Sequence, residues 1–298
     1  MGSYKEHYEQ TLLDTYSGIL FNYQNFKNGK EDEIEYDFSC PEYKELMEKY
    51  NIDKIAGKGT DFIKAKRLLH YLAPRLNHSS WYDNHIECNS LKLLEYSLDN
   101  PEQGINCLNK AKILEECCLA LSIYARRVSI MPFSPYDFDN HVVVEIFDRK
   151  MDKWVMLDPT TDGLFVDENK IPLSLLEIRE KFANNQFVTF ITSTCKTKDL
   201  NKVRNKYKEA NSYICKNLFR FMIGNVCKFG VPENYLYFTP ENYFILENSK
   251  ANLQYRINNL SEEYSSFKEI FKKNLENLNN KDEPMCTDIS FMRKSPLK

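Results

Sequence analysis

Cys107, His141 and Asp158 are residue types that together can make a thiol nucleophile. A thiol attacks an acyl carbon efficiently when its pKa is lowered, a base takes its proton and a third group orients that base. Cys107 follows Asn106, a helix-capping residue type, and heads the run Cys107, Ala111, Leu114, Cys118 and Leu121, whose steps of four and three trace one helix face. In the first turn, unpaired N–H groups and the helix dipole favour thiolate over thiol. His141 opens the β-branched run HVVVEIF and Asp158 closes the alternating run KWVMLD. With the charged stretch 148–152 between them, the two runs predict a β-hairpin. If Phe147 pairs with Asp152, His141 falls opposite Asp158 and the two side chains share a face. His141 then serves as base, while Asp158 accepts its other ring N–H and fixes the tautomer. The open amides of the helix can hold an oxyanion, and the scheme needs no metal or other cofactor.

These residues need a scaffold, and the pattern around them supplies one. Helices are predicted from Pro41 to Tyr50, from Asp61 to the break at Pro74, over Leu91–Leu98, from Asn106 onward, over Leu173–Phe182, and over Leu200–Met222. Gly18–Tyr23 and Ile34–Phe38 are short aromatic or alternating runs, and residues 234–246 read as a pair of short strands. Residues 253–275 fit both heptad spacing and, at their start, alternation. The loop 77–84 carries His78, Trp81 and Tyr82 ahead of the cysteine helix. The expected division is an N-terminal flank over 1–60, a catalytic core over 61–190, a mainly helical extension over 191–278 packed on the core, and a loose tail over 279–298.

Composition narrows the function classes. The 298 residues are 42% hydrophobic, ample for a core, and Lys+Arg 40 against Asp+Glu 43 leaves a net charge of -3. That balance exerts no pull toward nucleic acid or anionic lipid. There is no apolar run long enough to span a membrane and no basic, apolar leader, so a cytoplasmic protein is expected. Nine cysteines without framework spacing read as reduced thiols. His85 and Cys88 form a lone His-x-x-Cys, with no second pair to complete a zinc site.

The stretch Gly104–Arg126, GINCLNKAKILEECCLALSIYAR, resembles the transglutaminase-like superfamily, in which a cysteine starts a helix and an Ile-x-Ala-Arg segment leads into the sheet. His141-Val-Val-Val-Glu145 resembles the second motif of that family and Trp154–Thr160 the third, in the same order. Asn106-Cys107, Met131-Pro132 with Asp137 and Asp139, and Val166-Asp-Glu followed by Leu173–Glu180 look like an uncharacterised bacterial subgroup of transglutaminase-like proteins. The resemblance is clearest over 61–185. It implies an α+β, papain-like core with the cysteine helix on an antiparallel sheet, and a Cys107-His141-Asp158 triad. It also places Trp81, Tyr82, His78 and Asn106 where residues line the cleft or donate to an oxyanion. One departure is Ser122, where the family has a glycine leaving the helix.

The superfamily holds acyltransferases, peptidases, deamidases and peptide N-glycanase-like enzymes, so the resemblance leaves the substrate open. The expectation is an enzyme that opens an amide or peptide through a Cys107 thioester, with hydrolysis favoured over acyl transfer. Its partner would be a peptide, a protein or a small amide, with no nucleic acid and no membrane. The alternative is a non-catalytic scaffold that binds protein or peptide with the same fold. Oligomeric state is not legible from the chain.

Overall fold

The computed structural model describes residues 4–194, 200–230 and 234–297. In chain order the elements are α1 (Tyr4–Asn22), β1 (Glu35–Tyr36), α2 (Glu42–Tyr50), α3 (Ile52–Ala56), α4 (Asp61–Leu72), α5 (Ser90–Asp99), α6 (Cys107–Ala120), β2 (Ala125–Met131), β3 (His141–Asp148), β4 (Lys153–Leu157) and β5 (Gly163–Val166). There follow α7 (Leu175–Ala183), β6 (Thr189–Thr192), α8 (Leu200–Asn217), β7 (Arg220–Gly224), β8 (Val226–Cys227), β9 (Tyr235–Phe238), α9 (Ile245–Asn259) and α10 (Ser266–Asn279). The fold is α+β. Its centre is a five-stranded antiparallel sheet in the order β4-β3-β2-β7-β9. Among the described residues no helix is long and apolar enough to cross a membrane.

Strand β3 is buried along its whole length, so its apolar residues alternate between two cores rather than between core and solvent. Val142, Val144 and Ile146 join the cluster built with α2, α4, α5 and α6. Val143 joins the other, with Met156, Leu20, Ile178 and Ile214. Helix α6 lies inside the first cluster and is buried on every side from Asn109 to Leu119. Its exit is a left-handed cap: Ser122 sits at φ 56, Ser122 N–H donates to Leu119 O and Ile123 N–H to Cys118 O. The expected glycine geometry is therefore present, with a serine adopting it.

The β3–β4 hairpin forms, with its register displaced by two residues from the expectation. Phe147 pairs with Trp154 and Asp148 with Lys153. The Asp148 carboxylate accepts from the Lys150 and Met151 amides, and Asp152 turns the chain at φ 52. A slip of two preserves the face, because side chains alternate with period two. His141 and Asp158 consequently remain on one side of the sheet, displaced diagonally.

Other expectations change. Gly18–Tyr23 belongs mostly to α1, which packs on α7 and α8. The helix expected to reach Met222 stops at Asn217, and Arg220–Gly224 is a strand between β2 and β9. Residues 234–246 hold one strand and the start of α9, and 253–275 falls into two helices separated by a turn at Glu262–Tyr264. The segment expected as a helical extension thus supplies two strands of the central sheet, and no sheet boundary falls at 190. The N-terminal flank is tied in likewise, with β1 on β8. Nor is the chain after Asn279 loose. Thr287 bridges Lys30, Met292 is buried, Arg126 donates to Met292 O and the Trp154 indole to Lys294 O. The physical reason is a shared polar anchor: Arg126 and Trp154 leave donors that the returning chain satisfies.

Candidate active site

Three elements meet at the end of the sheet where β3 begins. Cys107 is the first residue of α6, half-buried, behind an Asn106 cap whose Oδ1 accepts from Asn109 N at 3.2 Å. Gly104 lets the chain enter there: a Cβ at this position would lie 2.5 Å from the His78 carbonyl carbon and 2.6 Å from Ser79 N. That close approach zips loop 77–84 to the segment before Cys107, with Ile105 N–H donating to Asn77 O and Ser79 N–H to Ile105 O.

His141, the first residue of β3, is 1% exposed, and its Nε2 donates to Asp158 Oδ2 at 3.0 Å. The Cys107 sulfur is close enough to favour the charged form of this ring. Burial pulls the His141 pKa down, but the Asp158 charge, its hydrogen bond and the Cys107 sulfur outweigh it and raise it to about 10. Asp158 is wholly buried and remains a carboxylate. Desolvation raises its pKa, yet His141, the Thr161 hydroxyl (2.7 Å) and the Thr160 amide (2.8 Å) bring it below the ordinary value. The turn that holds it is pinned by reciprocal backbone bonds between Asp158 and Gly163. The ring of Tyr213, from α8, lies 5.2 Å from the His141 ring at 67°, and its hydroxyl donates to Asp139 Oδ1 at 3.2 Å. Burial, followed by Asp139, Asp158 and Cys107, raises the pKa of that phenol, so it stays neutral.

Of the other residues singled out in the sequence, Asn106 directly precedes Cys107, and His78 feels the charge of His141. Burial lowers the His78 pKa, and Lys110 and His141 lower it further by charge repulsion. Trp81 faces the C-terminal helices: its ring stacks on Tyr264 at 3.9 Å and meets Phe267 edge-on at 5.5 Å. Tyr82 is buried, with its hydroxyl accepting from Ile86 N and its ring against Tyr96. Asn106 is a cap whose amide is committed to Asn84 Oδ1. His85 pairs with Asp83 while the Cys88 thiol donates to Asn109 Oδ1, so these two face different partners.

Sequence reasoning missed Lys110, Thr161 and Tyr213. Lys110 had a legible signal, a charge on the same helical face as Cys107 and Leu114. Tyr213 had none, since it resembles any aromatic on an amphipathic helix. A cleft of about 610 Å³ is lined by His78, Thr160, Thr161 and Tyr213, which neighbour His141 and Asp158, and by Leu12, Phe190 and Ala210. Another cavity, of about 420 Å³, lies behind the 132–138 segment and shares only Tyr16 and Lys216 with the first.

No protein-family model matches the chain, and no curated protein matches it. Among solved structures, a candidate cysteine protease from Cytophaga hutchinsonii aligns with 53% of this chain and 49% of its own length, at 16% identity and a TM-score of 0.33. A likeness this slight carries no weight beside the geometry of the side chains.

Proposed function

We propose that the protein is a transglutaminase-like cysteine enzyme with a papain-like core that opens an amide or peptide bond through a Cys107 thioester. The observation that carries this reading is the buried His141–Asp158 pair, closed through Nε2 at 3.0 Å, beside a Cys107 at the start of α6 whose sulfur favours the charged ring. Since Nε2 is taken, Nδ1 is the nitrogen that serves the thiol. In this scheme the Cys107 thiolate attacks the carbonyl carbon, and the amides of Cys107 and Leu108, ahead of the first intrahelical bonds, hold the oxyanion. Collapse expels the amine, which takes its proton from the His141 imidazolium. Water, deprotonated by neutral His141, then attacks the thioester, so an acid leaves and Cys107 is restored. Asp158 keeps the imidazole oriented throughout. The cleft walls of Leu12, Phe190 and Ala210 favour a substrate with an apolar group, whether peptide, protein or small amide.

A second reading, a non-catalytic scaffold, draws on the chain's own C-terminal helices. Asn252 donates to Pro135 O and Asp137 O while Tyr264 stacks on Trp81, so α9 and the turn after it grip both loops that flank the triad. The test is turnover of a panel of acyl-peptide amides by the full chain, with and without added primary amine. Release of free acid that vanishes in Cys107→Ser is expected. Amine-dependent product alone would redirect the reading to acyl transfer, and tight binding without turnover would favour the scaffold.

A further inference from the structure

Lys110 lies one turn beyond Cys107 on α6, with 2% of its surface exposed. Its ammonium donates to Leu76 O at 2.8 Å and reaches Ala73 O at 3.5 Å, at the end of the turn that follows α4. Among the described residues no carboxylate closes an ion pair with it. A buried ammonium held only by carbonyls is expensive to keep charged, and such groups are normally paired. Burial accordingly lowers its pKa to about 8, against the opposing pull of Asp158, Asp162 and Cys107. The surroundings explain why a cation belongs there. From the β4–β5 turn come Asp158 and Asp162, from its own helix the Cys107 sulfur, and from loop 77–84 His78. Asp162 is further paired with His70 of α4 at 2.7 Å, and Asp158 with His141. With Cys107 ionised, three negative groups crowd one pocket; each aspartate has an imidazole partner, and the sulfur has the Lys110 ammonium one helical turn away.

We infer that Lys110 is a positioning residue for Cys107: its buried ammonium holds the sulfur as thiolate beside two aspartates and latches loop 77–84 to the cysteine helix. The inference rests on Cys107 being the nucleophile. It assigns two separable duties to one side chain. The charge acts on the thiolate, while the hydrogen bond to Leu76 O fixes the point from which the loop departs toward His78. Glutamine at 110 retains a donor without the charge, and methionine removes both.

The experiment measures the rate at which iodoacetamide alkylates Cys107 across pH in the full chain, mapped by peptide mass spectrometry, for wild type, Lys110→Gln and Lys110→Met. At pH 6 to 7 the glutamine variant is expected to react roughly tenfold more slowly, its profile displaced upward by about one pH unit and its rate restored at high pH. The methionine variant should add faster amide exchange at Ser79 and Ile105. A glutamine profile that coincides with wild type overturns the inference. Should the variants not fold, the ε-carbon resonance of Lys110 in wild type answers the same question. Capping Cys107 with iodoacetamide removes the thiolate, and the Lys110 titration midpoint must then fall; an unmoved midpoint overturns the inference. An unreactive wild-type Cys107 would count against the enzyme reading itself, a result distinguishable from either of these.

Discussion

Lys110 and Lys112 stand two residues apart on α6, on opposite faces, and both are buried. Lys112 is enclosed by carboxylates, with Glu116 at 3.0 Å and Glu115 at 3.3 Å, and donates to Lys228 O. Burial opposes its charge, but Glu115 and Glu116 outweigh burial and raise its pKa. The same acids bind Arg127 and the amides of Ser90 and Gly230, so this face joins α6 to its neighbours. Among the described residues Lys110 hydrogen-bonds carbonyls alone, and Asp158, Asp162 and Cys107 favour its charge. The contrast separates two uses of a buried ion: complete pairing fixes architecture, while incomplete pairing beside the proposed nucleophile leaves a field for chemistry. The thiols of α6 repeat the lesson. Cys107 has His141, whereas Cys117 and Cys118 are fully buried and desolvation raises their pKa values, keeping them protonated.

The comparison can be broken in graded steps. Asp158→Asn should leave the fold intact and reduce turnover on the order of 10⁴-fold, because the imidazole loses the acceptor that fixes its tautomer; a steady-state assay with a circular dichroism control reads both. Lys112→Met should do the reverse. Removing the cation from Glu116, while Glu115 keeps Arg127, costs about 3–5 kcal/mol of stability in urea unfolding, and the alkylation rate of Cys107 per folded molecule stays at the wild-type value. Equal loss of reactivity in Lys112→Met and Lys110→Gln would erase the distinction between the two faces.

A smaller effect appears in the pH dependence of stability. The folded pKa of His141 is raised, so its contribution is fully present below the unfolded value near 6.5 and is lost as pH rises toward about 10. The folded pKa of Asp158 is lowered, so its contribution is present above the ordinary value of 3.8 and is lost as pH falls below it. The difference in Tm between wild type and Asp158→Asn should therefore be widest at about pH 5 to 6.5 and shrink on both sides. A flat difference would show that the pair is not coupled to folding. Smallest of all, Ser122→Gly relieves a left-handed residue and should add about 0.5–1 kcal/mol without touching reactivity.

The placement of Cys107, His141 and Asp158 was legible because each opens or closes an element whose periodicity is strong: the Asn106 cap, the β-branched run from His141, the alternation ending at Asp158. The register was not, because it depends on how the Asp148 side chain caps its own turn, which strand pattern alone does not specify. Strand β7 was hidden since Leu218 and Phe221, three residues apart, continue the helical stripe of α8, and tertiary pairing with β2 and β9 decided the matter. The binding of the C-terminal segment was hidden for a related reason: its anchors, Arg126 and Trp154, lie more than a hundred residues earlier. The pairing of Lys112 and the isolation of Lys110 are likewise three-dimensional facts, although charges inside an apolar helix already mark both positions for attention.

The most direct measurement is the pH profile of Cys107 alkylation by limiting iodoacetamide, compared with Cys117 in the same molecule and repeated in His141→Ala. The account predicts that Cys107 reacts first, remains reactive well below the ordinary thiol pKa, and loses that advantage when the imidazole is removed. A Cys107 that reacts no faster than Cys117, or that reacts identically without His141, would contradict it.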